Sequence, residues 1–199
     1  MVGQPVAGPR CDTEVVGIDW TDQLVDQLDL HWHRQLRPRY EGLTDGEYFW
    51  EPVANCWNIR PRGQGRAAIA AGGGDFVIDF AHPEPSPAPV TTIAWRLAHI
   101  IVGVFATRVA GHFGGPPVDY RTFHYAGTAA QALQQLDEVY AAWMAGVRGL
   151  GEAELARPCG PAEDYYAEYP LAALVLHINR EAIHHGAEIA LLRDLYANR

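Results

Sequence analysis

Cysteine is scarce in this chain of 199 residues. The three that occur, Cys11, Cys56 and Cys159, are scattered and odd in number. That excludes a disulfide framework and a CxxC zinc site, and it fits a reducing, cytoplasmic setting. Basic charge is also short: 15 basic residues face 24 acidic ones, for a net charge of −9. Such a balance disfavours a nucleic-acid backbone or an anionic membrane as partner. Long hydrophobic runs are missing too. The longest apolar-rich stretch, Leu97–Thr107, contains His99 and is too short to span a bilayer. The N-terminus, MVGQPVAGPR, lacks a charged-then-apolar leader pattern. No GxxxxGK(S/T) phosphate loop occurs, and no Ser–His–Asp arrangement is visible.

What remains is a chain with 48% apolar residues, enough for the core of one domain. Residues 1–18, rich in Gly, Pro and small residues, read as a flexible tail, and 19–199 as the domain. Helical periodicity predicts a first helix over 21–36, with Thr21 as N-cap and Pro38 as its stop. His31 borders its core face. Thr44 and Glu47 have the spacing of a capping box at a short helical turn. Trp50 and Trp57 read as apolar lids on the end of the helices. A second helix starts after Pro89, capped by Thr91 or Thr92, and ends near Gly111. A third begins at Thr128, with Gln131 completing a capping box, and buries Leu133, Leu136, Tyr140, Trp143, Val147 and Leu150. A fourth runs over 171–196 with Pro170 at its first turn. Between the first two, residues 58–90 hold ten Gly and Pro residues and the β-type run FVIDF. They predict a small β-hairpin-like excursion on a long crossover. The fold expected is all-α, a four-helix bundle with that insertion.

The last helix carries the chemistry. Its apolar face runs Leu171, Leu174, Ile178, Glu181, His185, Glu188 and Leu192, in alternating steps of 3 and 4. A carboxylate and an imidazole thus stand one turn apart where a plain bundle would place leucine, and residues four apart share a face. Both are metal ligands, and both are costly to bury without a partner. A Glu–His pair at this spacing is most often a solvated ion pair. A second register, His177 with Glu181 or with His184, is also open. His99, beside the apolar side of the second helix, is the further inward imidazole that favours a metal, because facing helices are where bundles build such sites. His112 and His124 read as surface or cap residues.

HWHRQLRPRYEGLTDGEYFWEP, WRLAHI and HINREAIHHGAEIALLRDLY together resemble the DinB-like (DinB/YfiT-like) superfamily of metalloenzymes over residues 20–196. The resemblance implies a four-helix bundle holding a divalent metal, Zn or Ni, on His99, Glu181 and His185. The Glu-xxx-His form is that of the mycothiol-dependent maleylpyruvate isomerase branch. Gly186 followed by Ala187 departs from the His-x-Gly-Gln common in relatives. The activity implied is transfer or isomerisation using a low-molecular-weight thiol of mycothiol or bacillithiol type, with a small-molecule electrophile as the other partner. A homodimer is left open. Two other readings stand beside it: a hydrolase using metal-bound hydroxide, and a non-catalytic, stress-associated bundle that binds metal or small ligands. His31, Glu188 and Tyr166 are the candidates for proton transfer.

Overall fold

A computed structural model describes residues 17–199, and the tail reading of 1–18 falls almost wholly outside them. The described residues are mostly helical, with one small sheet. The helices are α1 (Trp20–His31), α2 (Asp45–Tyr48), α3 (Ile93–His99), α4 (Thr107–His112), α5 (Ala129–Arg148), α6 (Glu152–Ala156) and α7 (Leu171–Ala197). α1, α5, α7 and the α3–α4 stretch pack on one another around the core.

α1 is capped by Asp19, whose carboxylate accepts from the Asp22 amide at 3.1 Å. The expected cap, Thr21, instead donates its hydroxyl to Leu150 O at 2.8 Å. Nor does Pro38 stop the helix. α1 passes into a π-helical turn, Trp32–Leu36, and a 3-10 turn, Arg37–Tyr40, in whose first turn Pro38 sits with no amide to lose. The buried residues Leu24, Leu28, Trp32, Leu36 and Tyr40 recur every fourth position. A strict α-helix would rotate such a row off the core. The wider π turn lowers that rotation, and Trp32 ends stacked on Tyr140 of α5 with ring centroids 3.7 Å apart.

The capping box at Thr44 and Glu47 is present. Thr92, rather than Thr91, caps α3 and accepts from the Trp95 amide at 3.3 Å. Thr128 caps α5, but only its own half of the expected box forms, Gln131 N to Thr128 Oγ1 at 3.2 Å. Of the α5 core face, Leu136, Tyr140, Trp143 and Val147 are buried, whereas Leu133 and Leu150 are partly exposed. Pro170 is the N-cap of α7, one place before the first turn.

The 58–90 segment is more ordered than a hairpin. β1 (Ile59–Pro61), β2 (Ile69–Ala71) and β3 (Phe76–Phe80) form an antiparallel sheet in the order β1-β3-β2. FVIDF is the central strand, with Ile59 opposite Ile78 on one side and Ala71 opposite Ile78 on the other. The sheet is pinned by a buried ion pair, Arg60 Nε to Asp79 Oδ2 at 2.7 Å. Trp57 lies at the junction of sheet and helix, its ring 5.8 Å from Phe80 and 5.9 Å from Trp95. Trp50 packs edge-on against Tyr196 near the C-terminal end of α7.

From Ile93 to His112 the chain is one helix in three parts: α3, a π-helical stretch over Ile100–Ala106, and α4. It is long and apolar enough to cross a membrane, which the shorter run Leu97–Thr107 did not suggest, but more than half of its apolar window is buried inside the protein, as in a core helix. On α7 the core face is Leu171, Leu174, Val175, Ile178, Asn179, Ala182, His185, Gly186 and Ile189. That face is rotated from the expected seam, so Glu181, Glu188 and Leu192 fall at its margin. Asn179, the buried amide in this row, donates to Leu24 O at 2.8 Å and ties α7 to α1. A Cβ at Gly186 would lie 2.1 Å from a Leu36 methyl, so glycine there is what lets the two helices approach.

Candidate metal centre

α3 and α7 bring His99 and His185 together. Their rings meet edge to face at a centroid distance of 4.8 Å. Glu181 joins from one turn earlier on α7, its Oε2 lying 3.4 Å from His185 Nε2. His185 therefore touches both His99 and Glu181. The adjacent histidines part company: the His185 side chain is 11% exposed and that of His184 is 62% exposed. Inward direction thus belongs to His185. Glu181 is flanked by two imidazoles, since its Oε1 lies 3.5 Å from His177 Nδ1. The second register and the first thus share one carboxylate.

Each imidazole is held from behind. His185 Nδ1 lies 2.7 Å from Glu188 Oε2, and that carboxylate is paired with Arg96 Nε at 3.2 Å. Arg96 Nη1 also comes within 3.3 Å of His185 Nδ1. Nδ1 cannot donate to one group and accept from the other, and the shorter, charge-assisted contact to Glu188 decides for donation. Nε2 of His185 then faces the Glu181 carboxylate, a gap that a proton or a metal cation would fill. His99 Nδ1 lies 2.7 Å from the hydroxyl of Tyr120, and the His99 ring stacks on Trp95 at 5.5 Å. Burial, then the neighbouring His185, Arg96 and Arg108, push the His99 imidazolium down to about 3. His99 is therefore neutral at physiological pH, the state in which imidazole binds metal. Burial pushes the Tyr120 hydroxyl up to about 12, so it keeps its proton.

A second His/Glu group overlaps the first. The ligand atoms of His184, His185 and Glu188 lie within 4.8 Å of one another and could hold a divalent metal. It shares His185 but spends Glu188, which the first arrangement uses as an outer partner, and it relies on the exposed His184.

Of the expected proton-transfer residues, Glu188 is at the site. Tyr166 stands beside it, stacked on His177 at 4.8 Å, with its hydroxyl accepting from Arg180 at 3.3 Å. His31 lies elsewhere, in a groove of about 490 Å³ with Leu36, Pro38 and Gly186. His124 is exposed, as expected, whereas the side chain of His112 is only 4% exposed. His112 Nε2 and Glu163 Oε1 are 2.9 Å apart, and Arg108 Nε lies 3.3 Å from Glu163 Oε2. This clasp fastens the Pro161–Tyr166 turn, which carries Tyr166, onto α4. A local sequence pattern does not reveal it, because His112 and Glu163 are 51 residues apart. Tyr120 was missed for a like reason: it sits in a Gly/Pro-rich connection, 21 residues from His99.

The clasp carries a pH signature. Burial alone would raise the Glu163 carboxyl, but the hydrogen bond with His112 and the charge of Arg108 outweigh it and hold the group below its ordinary value. A depressed carboxylate stabilises the fold above its unfolded pKa of about 4.3, and the contribution is lost as pH falls through the lower folded value. Glu163→Gln should therefore flatten the fall in melting temperature between about pH 5 and pH 3. An acid limb as steep as that of the wild type would show that the clasp contributes nothing.

A family model described as the DinB superfamily matches residues 27–189, a span that includes His99, Glu181 and His185. No curated protein and no solved structure gives a significant match.

Proposed function

Because the chain belongs to the DinB superfamily, we propose that it is a four-helix-bundle metalloprotein whose divalent ion is held by His99, Glu181 and His185, and that it uses the site to activate a low-molecular-weight thiol toward a small electrophile. The observation that carries the metal reading is the opposition of His185 Nε2 and Glu181 Oε2 at 3.4 Å, with Nδ1 of His185 already committed to Glu188. Ring-to-carboxylate contacts of this outer kind are the usual setting of a ligating histidine. Two imidazoles and one carboxylate suit zinc or nickel and leave a coordination position open.

The cation would supply an electrophilic centre that lowers the pKa of a thiol or water placed in that position. Everything else falls to the protein. Neutral His99 and His185 with anionic Glu181 would leave one net positive charge with a divalent ion, enough to favour a thiolate over a thiol. Among the described residues the cysteines, Cys56 and Cys159, are buried outside α3 and α7, so the sulfur would come from a cosubstrate. Trp95 and Tyr120 flank the His99 ring, with centroids 5.5 and 6.4 Å away.

Replacing the native ion with Co²⁺ provides the test. On this reading, a cognate mycothiol- or bacillithiol-type thiol produces a sulfur-to-cobalt charge-transfer band. Glu181→Gln keeps some metal and slows transfer more than it weakens thiol binding. A cobalt spectrum indifferent to every such thiol, but titrating near neutral pH through coordinated water, would replace this reading with the hydrolase.

A further inference from the structure

The connection between α4 and α5 delivers one side chain to the site from outside the helices. Tyr120 reaches His99 and places its hydroxyl 2.7 Å from Nδ1. Its backbone is fixed in turn, since the Tyr125 hydroxyl donates to Tyr120 O at 2.8 Å. The approach is possible only because residue 103 is glycine. A Cβ on Gly103 would lie 2.0 Å from the Tyr120 hydroxyl oxygen and 3.1 Å from His99 Nδ1. Gly103 sits one turn after His99 in the π-helical stretch Ile100–Ala106, and π segments frequently mark functional positions in helices. The Gly103 carbonyl accepts from the Thr107 hydroxyl at 3.3 Å and from the Arg108 guanidinium. The notch is thus held open by polar contacts from the next turn.

We propose that Tyr120 is the positioning residue of His99: its hydroxyl oxygen accepts the Nδ1 proton, which leaves the Nε2 lone pair for the cation, and Gly103 is the notch that admits it. This rests on the metal reading of His99 given above. A histidine has one proton to place when neutral, and the partner of one nitrogen decides what the other can do. With the Nδ1 proton donated to it, the Tyr120 hydroxyl also has its own proton free. His185 receives the same treatment from Glu188, so the two imidazoles would each be backed at Nδ1, one by a carboxylate and one by a phenol.

Three variants and three measurements test the proposal. Zinc affinity should fall about 10- to 100-fold in Tyr120→Phe, the ordinary cost of losing an outer partner. Gly103→Ala should fall similarly, because the new methyl displaces the hydroxyl, although alanine is the better helix former. A melting temperature for zinc-free Gly103→Ala close to that of the wild type would show that the loss is not one of folding. In the zinc-loaded wild type, ¹⁵N spectra of the histidine rings should show His99 protonated at Nδ1, with a proton protected from exchange. Both variants should lose that protection. The proposal is overturned if both variants bind zinc within twofold of wild type and keep a protected Nδ1 proton while His99→Ala loses the metal. A zinc-loaded His99 ring protonated at Nε2, or full zinc occupancy in His99→Ala, instead overturns the metal reading on which it stands.

Discussion

His99→Ala is expected to strip the protein of tightly bound divalent metal while leaving its helical content intact. The affinity loss should exceed the roughly 100-fold upper range for an outer partner, because a ligand itself is gone. The helices should survive, because the core around His99 is apolar and extensive: Leu97, Ile100, Ile101, Val102 and Phe105 from the same helix are all buried. Some stability will go with the ring, in the range of about 1–3 kcal/mol usual for a buried truncation, since Trp95 and Tyr120 both lose their contact with it. The informative comparison is His184→Ala. If the ion sits on His99, Glu181 and His185, removing the exposed His184 leaves affinity within about twofold of the wild type. If it sits on the overlapping group His184, His185 and Glu188, the two variants exchange outcomes. Metal content of the purified variants, measured after dialysis against a weak chelator, decides between the two groups.

The overlap shows how much of this site could be read in the sequence. Spacing alone put Glu181 and His185 on one face of α7, and the structure keeps them 3.4 Å apart. Spacing could not choose among His177, His184 and His185, because α7 is apolar on more than one side and its buried row is rotated from the simplest alternating seam. The choice is made by Asn179, Ala182 and Gly186, whose small or hydrogen-bonded side chains turn that row toward α1. Their meaning depends on a partner helix that lies 155 residues away at Leu24. Helix ends followed local chemistry where a Thr stood directly before its helix, as at Thr44, Thr92 and Thr128. At Thr21 the rule failed because Asp19 stands two places earlier and is the stronger acceptor for the first free amides. The π turns at Trp32 and Ile100 have no local signature. They follow from packing, one by stacking Trp32 on Tyr140 and the other by presenting Gly103 to Tyr120. The sheet was visible only through its central strand, because β1 and β2 are three residues each and β1 contains an arginine and a proline.

That arginine sets up the largest stability effect expected in the molecule. Asp79, on the central strand, is 1% exposed. Its Oδ2 accepts from Arg60 Nε at 2.7 Å and from the Asn58 amide at 3.2 Å. Its Oδ1 accepts from the amides of Arg66 and Ala67 at 2.8 and 3.3 Å. Asp79→Ala removes one carboxylate and leaves a buried guanidinium and three backbone donors without it. Breaking a buried ion pair from one side typically costs about 3–5 kcal/mol, so the melting temperature should fall by roughly 10 °C for a domain of this size. Glu51, 2.8 Å from Arg60 Nη1, is partly exposed and bonds a different nitrogen, so it offsets only part of the loss. An apolar double replacement, Arg60→Met with Asp79→Leu, often restores stability where a buried pair stands alone. It should fail here, because the amides of Asn58, Arg66 and Ala67 still lack an acceptor. The damage should also reach the metal. Trp95 donates its indole N–H to Asp79 O at 2.8 Å and stacks on His99, so loosening β3 frees the ring that flanks the proposed ligand. Asp79→Ala should therefore weaken zinc binding in protein that is still folded at low temperature, whereas Glu163→Gln, on the other side of the site, should not. A double replacement as stable as the wild type would show that Asp79 serves Arg60 alone. Unaltered zinc affinity in folded Asp79→Ala would show that the sheet does not hold the site in place.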